Sequence, residues 1–169
     1  MKHFILFKDV KNKKLVDVFS LINRSKKIKI ENIKLIDMIY MKQSLIGVYI
    51  FFNLENQPIY VGKCSSRSFL ERIASHYDLR VTGIMNNFLC ALADKPKGRN
   101  CKKIKLKELQ NAYLKSLKYK LLFIELPLYF RDRILQYENL FISKYKETLL
   151  NKEKKFYKNY NESILFKNI

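Results

Sequence analysis

Cysteine and long apolar runs are scarce in this sequence. Its 169 residues include three cysteines, Cys64, Cys90 and Cys101, without a CxxC pair. An odd number at those spacings argues against a disulfide framework and against a zinc site. The first apolar run, at residues 4–7, is too short for a signal peptide or a membrane span. We therefore expect a cytoplasmic protein in a reducing compartment, with no membrane as partner.

Acidic residues are also few, since 15 Asp and Glu stand against 34 Lys and Arg, for a net charge of +19. A field of that sign attracts polyanions such as the phosphate backbone of nucleic acids. We therefore expect a nucleic acid as partner. A Lys-rich surface without any partner is the alternative, because 27 of the basic residues are Lys, a bias that an AT-rich genome also produces.

The chain shows neither a low-complexity linker nor an internal repeat. Its hydrophobic content of 48%, with 12 Phe and 11 Tyr, is typical of one folded domain with appendages. The predicted organisation is an N-terminal extension at 1–45, a core at 46–151 with an insertion at about 77–119, and a basic C-terminal tail at 152–169. Mixed apolar spacing predicts short helices at 15–22 and 31–41.

A hairpin is predicted where the core begins. GVYIFF and QPIYVGK, at 47–52 and 57–63, have the composition of β-strands and are joined by the turn NLEN. Counting back from that turn places Tyr49 opposite Tyr60, on one face of the sheet. Gly47 and Gly62 lie inside the strands, where glycine is unfavourable unless the space beside it is used. We expect them to leave the backbone open to a substrate.

Two helices after the hairpin carry polar residues of interest. Ser68 and Glu71 have the spacing of a capping box, which predicts a helix that carries Arg72 and His76 on one face. In the helix predicted from YFRDRILQYENLFISKY, at 129–145, Glu138 lies on the apolar stripe. The remaining predicted elements are helices at 83–93 and 104–118, a loop at 94–100 and a third strand at 120–126.

Each of these polar residues also has an ordinary structural explanation. Tyr49 and Tyr60 fit half-buried sheet aromatics, His76 fits a packed histidine, Arg72 a solvated helix residue and Glu138 a surface ion pair. As a set they suit phosphate ester chemistry, because Arg clamps phosphate, Tyr or His transfers protons, and a carboxylate binds a divalent cation.

Their order and spacing closely resemble those of the GIY-YIG nuclease family. The resemblance rests on GVY at 47–49, then ten residues, then YVG at 60–62, and it spans residues 46–151. It continues with Lys63, Arg72, His76, Glu138 and Asn151. The resemblance implies a small α/β sandwich, with a three-stranded, mainly antiparallel sheet flanked by helices. An N-terminal helical extension and an inserted helical region are added to that core.

The resemblance also implies a role for each residue near the hairpin. Tyr49 would be the general base toward the attacking water, aided by His76 or Lys63, and Arg72 would hold the phosphate in the transition state. Tyr60 would position the phosphate or the water. A phenol with a pKa of about 10 is a poor base at neutral pH unless neighbouring cations lower that pKa. We therefore expect activity to rise steeply on the alkaline side.

On the C-terminal side, the resemblance implies that Glu138 binds a single Mg²⁺ or Mn²⁺ ion. Asn151 would orient Glu138 or a nearby strand end, with a turn residue as its ordinary alternative. The long stretch between His76 and the third strand departs from the compact family pattern. This departure leaves Glu108, Glu125 and Glu147 as rivals of Glu138.

The expected function is that of a metal-dependent endonuclease that cuts double-stranded DNA, in the manner of a site-specific restriction enzyme. A homodimer is expected because one active site cuts one strand per engagement. The extension, the insertion and the tail would contact DNA. The alternatives are a phage or mobile-element endonuclease of loose specificity, and a non-cleaving basic module on the same fold that binds DNA or structured RNA.

Overall fold

The computed structural model describes residues 3–34, 46–95 and 104–151 and shows a mixed α/β fold. The strands in this part of the chain are β1 (Phe4–Ile5), β2 (Ile28–Lys29), β3 (Ile46–Phe52), β4 (Pro58–Cys64) and β5 (Lys120–Leu126). The α-helices are α1 (Phe7–Val10), α2 (Leu15–Arg24), α3 (Phe69–His76), α4 (Asn87–Leu92), α5 (Leu106–Leu117) and α6 (Ile134–Tyr145). None of these helices is long and apolar enough to cross a bilayer.

The sheet is mixed and has five strands, in the order β1-β5-β3-β4, with β2 also paired to β5. The predicted strands β3, β4 and β5 pair antiparallel, as expected. The expectation of only three strands is wrong, because the N-terminal extension adds two short ones. Phe4 pairs in parallel with Phe123, and Ile28 pairs antiparallel with Leu121. Part of the extension therefore completes the sheet.

The predicted register of the hairpin is also wrong, by two residues. Tyr49 pairs with Gly62, and Tyr60 pairs with Phe51. The loop is longer by one residue, since Phe52 pairs with Pro58 and not with Gln57, and a bulge between Phe51 and Phe52 adds a second. A shift of two residues preserves which face a side chain occupies, so the two tyrosines still share one face.

The two faces of the sheet bury different side chains. The aromatic face carries Tyr49, Phe51, Tyr60 and Phe123, and it packs against α3, α4 and α5. The aliphatic face packs against α2 and α6. Its strand residues are Ile5, Ile46, Val48, Ile50, Phe52, Val61, Leu122, Ile124 and Leu126.

Most of the predicted helices are present, with small differences at their ends. The capping box of α3 forms, because Ser68 Oγ accepts from Glu71 N–H at 3.3 Å and Glu71 Oε2 accepts from Ser68 N–H at 2.7 Å. The helix predicted at 129–145 begins instead as a 3-10 helix, Leu128–Arg133, and becomes α-helical at Ile134. Residues 31–34 of the helix predicted at 31–41 are not α-helical. The remainder of that segment, part of the loop at 94–100 and the C-terminal tail lie outside the described residues.

Candidate functional site

The hydroxyl of Tyr49 is the centre of a buried polar cluster on the aromatic face. Tyr49 projects from β3 and is fully buried. Arg72 Nε donates to its Oη at 3.3 Å, and His76 Nε2 lies 2.5 Å from the same oxygen. Arg72 and His76 are four residues apart, so α3 presents both to this face. The structure thus brings three of the predicted site residues together around one oxygen atom.

The hydrogen bonds of His76 assign its tautomer. The backbone N–H of Phe88, in α4, donates to His76 Nδ1 at 3.3 Å, so Nδ1 carries no proton. Burial, and then the charge of Arg72, lower the pKa of His76 to about 3. The ring is therefore neutral near pH 7, its proton lies on Nε2, and it donates to Tyr49. In this arrangement His76 is a donor to Tyr49, and it is not a base toward it.

Burial dominates the acidity of Tyr49. It raises the pKa of the phenol well above its ordinary value, the neighbouring Tyr60 raises the pKa further, and the Arg72 charge and hydrogen bond lower it. The resting side chain is consequently the neutral phenol. Two N–H donors already point at its oxygen, so any phenolate formed there meets preorganised donors, of which the Arg72 guanidinium is positively charged and His76 is neutral.

Lys63 does not join the group around Tyr49. On β4 it pairs with Val48, whose side chain belongs to the aliphatic face. Alternation along the strand directs Lys63 away from the tyrosines. It lines a separate cleft of about 400 Å³ together with Arg131 and Ser65. The fold therefore does not provide the contact by which Lys63 was expected to lower the pKa of Tyr49.

Other atoms of the protein fill the space beside the two strand glycines. The expectation that this space is open to a substrate is therefore wrong. A Cβ atom on Gly62 would overlap the ring of Tyr49, which lies directly across the strand. A Cβ atom on Gly47 would overlap the Ile124 carbonyl oxygen of β5, and its φ of +146° also favours glycine. Gly62 therefore provides the space in which the Tyr49 hydroxyl lies.

Tyr60 and Cys64, both on β4, lie near Arg72 and near Glu138. Burial raises the pKa of both groups, the Arg72 charge lowers it, and the Glu138 charge raises it again. The Tyr60 ring also meets the His76 ring edge-on, with centroids 5.3 Å apart. Both charges therefore reach the same two buried side chains of β4.

Glu138 is the one buried carboxylate in the described part of the chain, at 3% exposure. It lies on α6, which packs against the edge strand β4. No group of three or more His, Cys, Asp or Glu side chains suited to a metal ion occurs among residues 3–34, 46–95 and 104–151. A single carboxylate nevertheless suits Mg²⁺, which takes one or two carboxylates and completes its shell with water and substrate phosphate oxygens.

The three rival carboxylates have other surroundings. Glu108 caps α5 by accepting from Lys105 N–H at 2.7 Å. Glu125 lies beside the N-terminal segment, where its carboxylate accepts a hydrogen bond from the backbone of Phe7. Glu147 is exposed and lies 3.7 Å from Lys146. None of them is among the charges that act on Tyr49, Tyr60 or Cys64 in this structure.

Asn151 binds the edge strand beside the tyrosines. Its Nδ2 donates to the Val61 carbonyl at 2.6 Å, and its Oδ1 accepts from Val61 N–H at 3.3 Å. Leu150 N–H donates to the Ile59 carbonyl at 2.8 Å. These bonds satisfy backbone groups of β4 on its outer edge, so Asn151 fixes the segment that carries Tyr60 and Gly62.

Sequence reasoning missed the contribution of the insertion. Phe88 stacks on Phe51 at 3.9 Å between centroids, which holds its amide against His76. Met85 accepts from Arg72 Nη1 at 3.7 Å. No residue type signals these contacts, because one comes from a backbone amide and the other from an ordinary methionine. The sequence predicts only DNA contacts for the insertion, yet this segment also supports the cluster.

The cysteines differ from one another. Cys64 is a free, buried thiol at the end of β4. Cys90, in α4, is disulfide-bonded, which the argument from cysteine number did not predict.

Comparison with known proteins adds no assignment to this geometry. The chain matches no family model, and neither a curated protein nor a solved structure is significantly similar to it.

Proposed function

We propose that this protein is a metal-dependent endonuclease that hydrolyses phosphodiester bonds in DNA. The observation that carries the proposal is the buried phenol of Tyr49, which receives hydrogen bonds from Arg72 and His76 at 3.3 and 2.5 Å. A phenol held by a cation and by a neutral imidazole is suited to proton transfer at a phosphate.

Arg72 holds the phosphate in this proposal. It is half-buried and uses two of its N–H groups, on Tyr49 and Met85. A guanidinium has five N–H donors in a planar fork, so the N–H groups that do not bind Tyr49 or Met85 remain for the phosphate oxygens. Tyr60, between Arg72 and Glu138, positions the phosphate or the water.

Glu138 is the residue that would hold a divalent cation. Mg²⁺ or Mn²⁺ at that carboxylate supplies positive charge for the phosphate and the leaving oxygen. The chain's own contribution there is a carboxylate kept in place by α6 and by the edge of β4. Asn151 fixes that edge through Val61.

The substrate proposed is double-stranded DNA, cut at specific sites in the manner of a restriction enzyme. The net charge of +19 supports a polyanionic substrate. A homodimer would place one site on each strand. A phage or mobile-element nuclease of loose specificity has the same site and differs only in base readout.

A non-cleaving nucleic-acid-binding module is the second candidate, and the burial of the site favours it. Tyr49 is 0% exposed and Glu138 is 3% exposed. Burial also raises the pKa of Tyr49, which works against its use as a base. Cleavage requires substrate binding to open a path between α3 and α6, whereas binding alone does not.

Incubation of plasmid DNA with Mg²⁺ tests the two candidates. The wild-type protein is expected to produce discrete fragments, and Glu138→Gln to produce none. The matched control is Glu147→Gln, which removes an exposed carboxylate of the same type and should cut normally. Smeared products indicate loose specificity. Binding without cleavage, over a range of Mg²⁺ and Mn²⁺ concentrations, overturns the enzyme proposal in favour of the second candidate.

A further inference from the structure

A cleft of about 540 Å³ opens beside the Tyr49 cluster, between α3 and the loop that follows it. Its lining includes Arg67, Asp78, Arg80, Thr82, Ile84 and Met85. Met85 is also the residue whose sulfur accepts from Arg72. The cleft is therefore adjacent to the position at which Arg72 would hold a phosphate.

The loop that forms one wall of the cleft has a fixed shape. Asn86 is fully buried, and its Nδ2 donates to the carbonyls of Asp78 and Arg80 at 2.9 and 3.2 Å. Gly83 N–H donates to the Arg80 carbonyl at 2.8 Å. A loop whose backbone is held in this way presents its side chains without a large ordering cost on binding.

The side chains at the mouth of the cleft have the chemistry of a nucleic-acid contact. Arg67 and Arg80 are exposed, and Arg80 keeps 81% of its side-chain surface accessible although it pairs with Asp78 at 2.7 Å. Ile84 is 77% exposed, the most of any large apolar side chain in the described part of the chain. Arginines bind phosphates, and an exposed apolar side chain at a loop tip packs on sugars and base steps.

We propose that this cleft binds the DNA strand immediately next to the phosphate held by Arg72. Arg67 and Arg80 contact flanking phosphates, and Ile84 packs against the sugar or base between them. The assignment of the strand rests on the proposed function, because Arg72 marks the phosphate that is cut. Binding itself requires neither cleavage nor a metal ion.

Fluorescence anisotropy with a labelled DNA duplex, in EDTA and at several salt concentrations, measures the contacts. Arg67→Gln and Arg80→Gln are each expected to reduce the slope of log K against log[salt] by about 0.9, which corresponds to about eightfold weaker binding at 0.1 M salt. Ile84→Ser should weaken binding about fivefold, because an apolar contact is lost, with the slope unchanged. The control is Lys144→Gln, since the Lys144 ammonium lies over the Phe19 ring on the aliphatic side of the sheet and the variant should bind like wild type.

The substitution Asp78→Asn separates a DNA contact from a structural role of the Asp78–Arg80 pair. The amide oxygen of the new side chain can still accept from the backbone N–H of Arg80, as the Asp78 carboxylate does at 3.0 Å. If Arg80 binds phosphate, removal of the neighbouring negative charge should tighten DNA binding. An affinity at or above wild type supports the proposal. If Asp78→Asn weakens binding as much as Arg80→Gln, the pair only stabilises the loop and the proposal is wrong.

Failure of this inference can be told apart from failure of the proposed function. If the protein cuts DNA while the Arg67, Arg80 and Ile84 variants bind like wild type, the cleft is not the binding site and the nuclease proposal stands. If no cleavage occurs but these variants lose affinity with the expected slopes, the cleft is confirmed and the protein is a binding module.

Discussion

The two faces of the central sheet show how one set of strands can serve two purposes. On the aliphatic face, strand residues such as Val48, Ile50 and Val61 pack against α2 and α6. On the aromatic face, Tyr49 and Tyr60 come from the same strands, but they are buried beside His76 and Arg72. Aliphatic packing has no directional requirement, whereas the polar cluster requires defined hydrogen bonds. We therefore expect mutations on the two faces to separate stability from activity.

The largest expected effect is on the activity of Tyr49→Phe. In the proposed nuclease mechanism, loss of the general base lowers the rate by about 10²–10⁴, and the packed ring is retained. The variant should stay folded, with a stability loss of about 1–3 kcal/mol because His76 and Arg72 lose an acceptor. Plasmid cleavage and thermal unfolding measure the two quantities. Tyr145→Phe, behind the aliphatic face, is the control, and equal activity of both variants contradicts a role for Tyr49.

The next largest effect is the pH dependence of cleavage. Burial raises the pKa of Tyr49 above its ordinary value, so the phenolate fraction, and with it the rate, should rise about tenfold per pH unit between roughly pH 7 and 9. His76, with a pKa of about 3, should add no inflection in that range. Single-turnover rates test this expectation. A flat profile, or a bell centred near the ordinary histidine pKa, contradicts Tyr49 as the base.

On the aliphatic face, Ile50→Ala should affect stability and leave chemistry intact. Ile50 is fully buried, so the substitution creates a cavity and lowers the free energy of unfolding by about 2–5 kcal/mol. The cleavage rate per folded molecule, measured below the unfolding temperature, should match wild type. A rate loss comparable to that of Tyr49→Phe would show that the two faces are not independent.

Gly62→Ala is expected to affect both quantities at once. The new Cβ overlaps the Tyr49 ring, so the variant should lose about 3 kcal/mol of stability and displace the hydroxyl. A double-mutant cycle with Tyr49→Ala identifies the cause. In the Tyr49→Ala background the ring is absent and Gly62→Ala should cost little. An equal cost in both backgrounds would mean that the glycine is needed for another reason.

The smallest expected effect is acid destabilisation through His76. Its pKa is about 3 in the folded state against 6.5 as the ordinary value, so the unfolded chain binds an extra proton between these values. Stability therefore falls as pH drops below the upper value, by about 2 kcal/mol at roughly pH 5. Urea unfolding at pH 7 and pH 5 measures the difference. His76→Gln should be less sensitive to acid than wild type, and equal sensitivity contradicts the burial of a neutral histidine.

Local patterns in the sequence were enough to predict most elements. The residues of β5 were predicted without error as 120–126, and the capping box of α3 formed as expected. The burial of Glu138 followed from its place on the apolar stripe of its helix. Short-range periodicity and capping depend on neighbouring residues, which explains why these predictions succeeded.

The register of the hairpin and the direction of Lys63 depended on longer-range geometry. A loop longer by one residue and a bulge next to Phe52 together moved Tyr60 from Tyr49 to Phe51, and no residue of the turn sequence predicts either feature. Lys63 follows Gly62 directly in sequence, yet strand alternation places its side chain on the opposite face. The short strands β1 and β2 were missed because two residues carry too little pattern to predict a strand.

The sequence by itself determined the longer helices and strands, the strong positive charge and the identity of the polar residues that share the aromatic face. Only the tertiary structure decided what those residues do to one another. It placed Arg72 and His76 on the Tyr49 oxygen, used Gly62 to make room for that ring, and brought the Phe88 amide from the insertion to set the proton on His76. Hydrogen-bond roles and pKa shifts depend on distance and burial, and these arise only when segments far apart in the chain come together.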